Sequence, residues 1–320
     1  MKLLGLSGYL VAYIDLLSVI IAQQKHFQHR LCGKLADRCE RVFCYNGVMR
    51  SLNGHDLMEF IKERQAHQVR GLRQAASVMP KLAIIVTVEN PVIELYMRLK
   101  QEYGSDILVE VEVHRVSQDE APELITTLNA DDSVHGIIIQ LPLADPARTT
   151  ELTAMVAPGK DVDGLGPKAQ FDPATPVAIM WLLAGYNIDL RDKTVLLVGY
   201  GTLVGAPLER ILLASGITPQ VSTKESDDLA ALCPEADVII SATGVPGIIT
   251  AAMLKDKAVV VDAGVASEHG KTAGDLAPDV YTRDDLTVTP ARGGVGPLTV
   301  CALFDNVLLA ARRVAEQSKT

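Results

Sequence analysis

Residues 194 to 207, TVLLVGYGTLVGAP, constrain the fold more than any other stretch of this chain. Residues 195 to 198, led by Thr194, are an unbroken apolar run, which predicts a strand buried on both faces of a parallel sheet. The run passes directly into Gly199, Gly201 and Gly205, and residues 208 to 213 continue with apolar periodicity. Strand, glycine turn and helix follow in that order. Glycines let such a turn take positive φ and approach a ligand closely, and the first amides of the helix point outward unpaired, so an anionic pyrophosphate is the natural guest. The spacing G-x-G-x-x-x-G is one residue longer than the dinucleotide fingerprint, and a ligand-free strand-to-helix turn gives a similar pattern. The motif alone leaves both readings open.

With 320 residues the chain has room for two domains, and 48 % hydrophobic against 22 % charged residues is ordinary globular composition. A formal net charge of -9 with no basic run argues against a nucleic-acid partner. Aromatic residues are only 4 % of the chain, so the core rests on Val, Leu, Ile and Ala. The five cysteines form no C-x-x-C pair and the seven histidines are scattered, which points to reduced thiols and to no metal site.

Residues 1 to 48 differ from the rest. An apolar stretch over residues 3 to 22 is followed by Lys25, His26, His29, Arg30 and Lys34, a pattern shared with a signal anchor or short membrane span. Asp15 lies near its middle, where an acid costs roughly 2.5 to 3.5 kcal/mol on insertion scales. The segment is therefore read as an extension outside the functional fold, with no stable membrane association. From Leu52 onward the order is regular: a helix to about residue 76, a strand over 81 to 88, a helix over 92 to 103 and a strand over 107 to 116. A capping box at Ser117 and Glu120 opens the next helix, and a strand over 135 to 143 ends in Gln140-Leu141-Pro142. This is a parallel α/β unit. Thr175-Pro176 predicts an N-cap and first helical proline for a helix to 186. After the central stretch come strands over 218 to 223, 238 to 242 and 258 to 262, and PARGGVGP (residues 290 to 297) feeds a last helix over 298 to 313, expected to pack back on the first domain.

Several side chains could carry chemistry. Tyr96 and Lys100 lie four apart on one helix face, a spacing that usually marks a solvated pair. The same helix starts at a strand's carboxyl end, where a lysine in a partly dry pocket is depressed enough to act as a base. Gln140 either satisfies backbone at its strand end or hydrogen-bonds a lysine without adding charge. Asp161 and Asp163 are turn acids, or one carboxylate faces a heterocycle presenting paired N–H donors.

The ordered set is Tyr96-x-x-x-Lys100, Gln140-Leu141-Pro142-Leu143, Lys160-Asp161-Val162-Asp163-Gly164, Thr175-Pro176 and Val198-Gly199-x-Gly201-x-x-Val204-Gly205-x-Pro207. It continues through Ala242-Thr243-Gly244-x-Pro246, Asp262-x-Gly264, Gly274-Asp275 and Gly293-Gly294-Val295-Gly296-Pro297-x-Thr299-Val300. This sequence resembles the bifunctional methylenetetrahydrofolate dehydrogenase/cyclohydrolase family across roughly residues 50 to 315.

The resemblance implies an α/β protein of two domains. Residues 49 to 168 plus 299 to 320 would form a three-layer folate-binding catalytic domain, and residues 169 to 298 a Rossmann-like NAD(P)-binding domain. It implies oxidation of 5,10-methylenetetrahydrofolate to the methenyl form, then hydrolysis to 10-formyltetrahydrofolate, by a cytoplasmic homodimer. Lys100 would be the catalytic lysine, Tyr96 would position the folate, Gln140 would tune the lysine and Asp163 would hold the pterin ring. Leu141, Gly294 and Pro297 would complete the folate site. The cofactor would meet Gly199, Tyr200, Gly201, Val204, Gly205, Thr223, Lys224, Ser226, Thr243, Gly244, Gly264 and Val265. Tyr200-Gly201 stands where Arg-Ser is frequent, and Val92-Ile93 where Ala-Ser is common. Lys224 is the remaining cation for a 2′-phosphate, and no acid ends that strand, so NADP is expected, with NAD open. A dehydrogenase without the hydrolytic step, and a non-catalytic dinucleotide-binding protein, are the alternatives.

Overall fold

The computed structural model describes residues 49–223, 228–268 and 271–317. The expectation that residues 1 to 48 are an extension lies outside them. After a two-residue strand, β1 (Arg50–Ser51), the chain forms α1 (Gly54–Ala76), β2 (Lys81–Val86), α2 (Pro91–Asp106), β3 (Glu110–Arg115), α3 (Ala121–Ala130), β4 (Gly136–Ile139) and α4 (Thr149–Met155). Strands β3, β2 and β4 make a parallel three-stranded sheet with β2 central. Alternation along β2 sends Leu82, Ile84 and Val86 to one face, against Ile93, Met97 and Tyr103 of α2. Ala83 and Ile85 go to the other, against Ala121, Ile125 and Leu128 of α3 and Leu152 of α4. Helices on both faces of a buried parallel sheet give the expected three layers.

The second half contains α5 (Ala174–Gly185), β5 (Val195–Val198), α6 (Gly205–Ala214), β6 (Gln220–Ser222), α7 (Leu229–Leu232), β7 (Val238–Ser241) and β8 (Val259–Asp262). A β9/β10 hairpin (Ala266–Glu268, Lys271–Ala273), β11 (Thr287–Val288) and α8 (Val295–Gln317) complete it. The main sheet has six strands in the order β1-β11-β8-β7-β5-β6, every pairing parallel. The two short strands at its edge, β1 and β11, were not expected from sequence; β1 ties the start of the described chain to this second sheet.

Two local expectations need correction. Ser117 does donate to the Glu120 carboxylate, from N at 2.8 Å and Oγ at 2.7 Å, but the bond closes the turn before α3, which begins at Ala121. Pro122 fits only the first turn of a helix and so sets that start. Likewise α5 begins at Ala174 with Pro173 at its N-cap, leaving Thr175 inside the first turn rather than capping it.

Helix α8 packs against α5 and α1 and touches α2 and β4. By length and mean hydropathy (1.4) it would cross a membrane, but here its apolar face is core, with Leu298, Phe304, Val307 and Leu308 buried. A buried polar tie holds these helices in register. Gln65 of α1, fully buried, donates from Nε2 to Cys301 O at 2.8 Å and accepts from Tyr103 Oη at 2.7 Å. Gln65→Leu removes the acceptor of the Tyr103 hydroxyl in the core, and denaturant unfolding should show a loss of about 1 to 3 kcal/mol.

Candidate active site

The site begins at the carboxyl end of β2. Asn90 caps α2, its Oδ1 accepting from Val92 N at 3.0 Å and Ile93 N at 2.9 Å, and Pro91 takes the first helical position. Ile93 and Met97, four apart, are buried, and Lys100 follows one turn later at the edge of that stripe. Its Nζ donates to Gln140 Oε1 at 2.8 Å. Gln140 follows β4 directly and its own N–H donates to Ile85 O at 2.9 Å, so the central strand fixes its place. Because Gln140 Nε2 donates to Leu141 O at 2.7 Å, the amide oxygen is the atom turned to the lysine. The Leu141–Pro142 peptide is cis.

The two acids around Val162 take different tasks. Asp161 is buried and accepts from Gly164 N at 3.1 Å and Gly166 N at 2.7 Å, so it builds the turn. Asp163 reaches a cavity of about 170 Å³ that Lys100, Gln140 and Leu141 also line. Leu165, Thr175 and Thr299 close other walls, and Leu203 of the glycine turn borders the same space. Burial lowers the Lys100 pKa from its ordinary 10.5, opposed by the attraction of Asp163. Burial raises that of Asp163, opposed by Lys100. Desolvation thus favours the neutral amine, and Gln140, carrying no charge, does not reverse it.

On the cofactor side, the glycine turn has the predicted shape. Gly199 has φ +95°, and a Cβ there would lie 2.7 Å from Ala242 O. A Cβ on Gly205 would lie 2.2 Å from Gly199 O, so only glycine lets α6 pack this closely on the turn. Gly201 faces open space, and no side chain caps α6. The expected fan of free amides is met in part: Ala206 N donates to Gly201 O at 3.1 Å and Pro207 has no N–H. Strand β5 lies between β6 and β7, the switch point at which open α/β sheets bind nucleotides. The loops after β7 and β8 bring Thr243, Gly244 (φ +67°), Gly264 and the exposed Val265 to that edge. A buried Asp275 supports them, its Oδ2 accepting from Thr243 N at 2.7 Å and Ser241 Oγ at 2.6 Å. This cradle fits a dinucleotide.

The remaining expected residues are dispersed. Tyr96 is 38 % exposed and is not among the residues lining the cavity, nor are Gly294 and Pro297. Gly294 packs under the start of α1, where its carbonyl would lie 2.0 Å from a Cβ on Gly54. Val204 is the N-cap of α6, Tyr200 is exposed beside it, and Thr223 follows β6. Lys224 and Ser226 lie outside the described residues. Sequence reasoning did not place Leu165, Thr175, Leu203 or Thr299 in the site; the Thr175-Pro176 and Pro297-x-Thr299 motifs were the available signals.

Comparisons with known proteins agree with this geometry. The model of the tetrahydrofolate dehydrogenase/cyclohydrolase catalytic domain matches residues 52–163, and that of the corresponding NAD(P)-binding domain matches residues 173–315. The bifunctional protein FolD of Aquifex aeolicus is 36 % identical over 276 residues, covering 82 % of this chain and 95 % of the relative. The crystal structure of the bifunctional enzyme FolD, methylenetetrahydrofolate dehydrogenase/cyclohydrolase, from Campylobacter jejuni superposes with a TM-score of 0.77 at 33 % identity. It covers 83 % of this chain and 99 % of that one. The Trypanosoma brucei methylenetetrahydrofolate dehydrogenase-cyclohydrolase, complexed with NADP cofactor and an inhibitor, gives 0.77 at 25 %, covering 83 % and 98 %. Both halves of the molecule, its central cavity and its glycine turn therefore lead to one assignment: the chain belongs to the tetrahydrofolate dehydrogenase/cyclohydrolase family.

Proposed function

We propose that this protein oxidises 5,10-methylenetetrahydrofolate to the methenyl form with NAD(P) and then hydrolyses that product to 10-formyltetrahydrofolate. The observation that carries the reading is one cavity lined by Lys100, Gln140 and Asp163 on one side and by Leu203 of the glycine turn on the other. Residues 199–205, with Thr243, Gly244, Gly264 and Val265, would hold the dinucleotide. Bound there, it supplies the hydride acceptor.

Hydride loss leaves a cationic carbon, which a charged ammonium beside it would repel. A desolvated Lys100 amine avoids that repulsion and accepts a proton from water as its oxygen bonds to this carbon. When the ring nitrogen leaves, the protonated amine returns a proton to it. Gln140 orients Nζ throughout, and Asp163 accepts from the N–H groups of the pterin. Tyr96, at the exposed edge of α2, would flank the more distal part of the folate, with Leu141, Gly294 and Pro297 framing the site. Residues 49 to 168 plus 299 to 320 would carry the folate side and 169 to 298 the dinucleotide side, in a cytoplasmic homodimer.

The test supplies methylenetetrahydrofolate with NADP or NAD and follows reduced dinucleotide, methenyl and formyl products together. Reduced dinucleotide accompanied by enzyme-dependent formyl product is expected. Methenyl product that accumulates without enzymatic conversion would reduce the protein to a dehydrogenase, and no reduced dinucleotide would leave a binding protein only.

A further inference from the structure

The glycine turn carries a side-chain pair that the reaction does not use. Tyr200 Oη donates to Glu209 Oε2 at 2.6 Å, a short charge-assisted bond joining the turn to the second turn of α6. Glu209 Oε1 has no hydrogen-bond partner among the described residues. The register fixes where the pair lies: Val198 pairs with Ser222, and Gly199 N donates to Ser222 O at 2.9 Å, so Tyr200 emerges beside the carboxyl end of β6. In dinucleotide folds an acid at that strand end claims the adenosine ribose hydroxyls, or a cation takes a 2′-phosphate. The residue following β6 here is Thr223, so the strand itself presents no acid at its first position.

We propose that Glu209, held by Tyr200, reads the adenosine ribose in place of an acid on β6: it accepts from a free 2′-hydroxyl and repels a 2′-phosphate. The inference rests on the dinucleotide reading above and deepens it. Two like charges within a Debye length of about 8 to 10 Å repel measurably at ordinary salt. The pair therefore sets the gap between NADP and NAD rather than the ability to bind either.

Equilibrium binding of NADP and of NAD, measured by titration calorimetry on the full chain without folate, tests this. Glu209→Gln should tighten NADP by about tenfold and leave NAD unchanged or weaker, shifting the ratio of the two dissociation constants by about tenfold or more. Tyr200→Phe, which frees the carboxylate without removing it, should shift the ratio the same way by less. Added salt should narrow the shift between wild type and Glu209→Gln. A ratio within about twofold of wild type in Glu209→Gln, or equal weakening of both dinucleotides, would overturn the assignment and leave the folate reaction standing. Failure of the wild type to bind either dinucleotide would overturn both.

Discussion

Lys100→Met is expected to slow hydrolysis of methenyltetrahydrofolate by about 10²- to 10⁴-fold, the usual worth of a positioned general base. Oxidation of the methylene substrate should persist, so the methenyl product accumulates and the two activities separate in one time course. The variant also has a stability signature. Burial lowers the Lys100 pKa below 10.5, so between its folded value and 10.5 the unfolded chain binds more protons and stability rises with pH. Methionine abolishes that pH-dependent contribution, which a comparison of unfolding free energies across alkaline pH in the two proteins would show. Formyl product formed at the wild-type rate would end the role given to Lys100.

The second large effect belongs to the glycine turn. Gly205→Ala places a Cβ 2.2 Å from Gly199 O and 2.8 Å from Tyr200 Cα, both backbone atoms, so no flexible side chain can yield. Helix α6 must move off the turn. Displacement by about an ångström is enough to cost on the order of 10²-fold in hydride transfer, with a corresponding loss of dinucleotide affinity. Hydrolysis of methenyl substrate supplied directly should suffer far less, because Lys100 and Gln140 stand on α2 and at the end of β4. Gly71→Ala, on α1 and outside the cradle, is the control: nothing lies within 4 Å of its Cβ, and affinity should hold. Equal losses in the two variants would show that close packing of α6 on the turn is not what shapes the cradle.

Much of this architecture was legible because buried parallel strands leave continuous apolar runs, as residues 195 to 198 and 136 to 139 do. The short edge strands β1 and β11 were not, since two residues carry no periodicity. At the site, the chemistry of Lys100 and Gln140 could be inferred from spacing and family resemblance, and the structure joins them at 2.8 Å. The choice between Asp161 and Asp163 could not be read from spacing alone, because both flank Val162. Three amide donors on Asp161 decide it in three dimensions. Thr299 and Leu203 escaped notice for a related reason: they meet only where the ends of distant elements converge on one cavity.

The same convergence explains why a lysine on a largely exposed helix face is desolvated. Val92, Leu95 and Leu99 of α2 face outward while Lys100 sits at the margin of the buried stripe. Its amine ends in the cavity, hydrogen-bonded to the neutral amide of Gln140.

The protonation of that amine can be measured directly. Labelling the lysine ε-carbons with ¹³C, assigning residue 100 by the signal missing from Lys100→Met, and titrating the folded protein would give its midpoint. A value displaced below 10.5 is predicted; a midpoint at or above 10.5 would mean that the amine stays charged beside the folate, contradicting the hydrolytic mechanism.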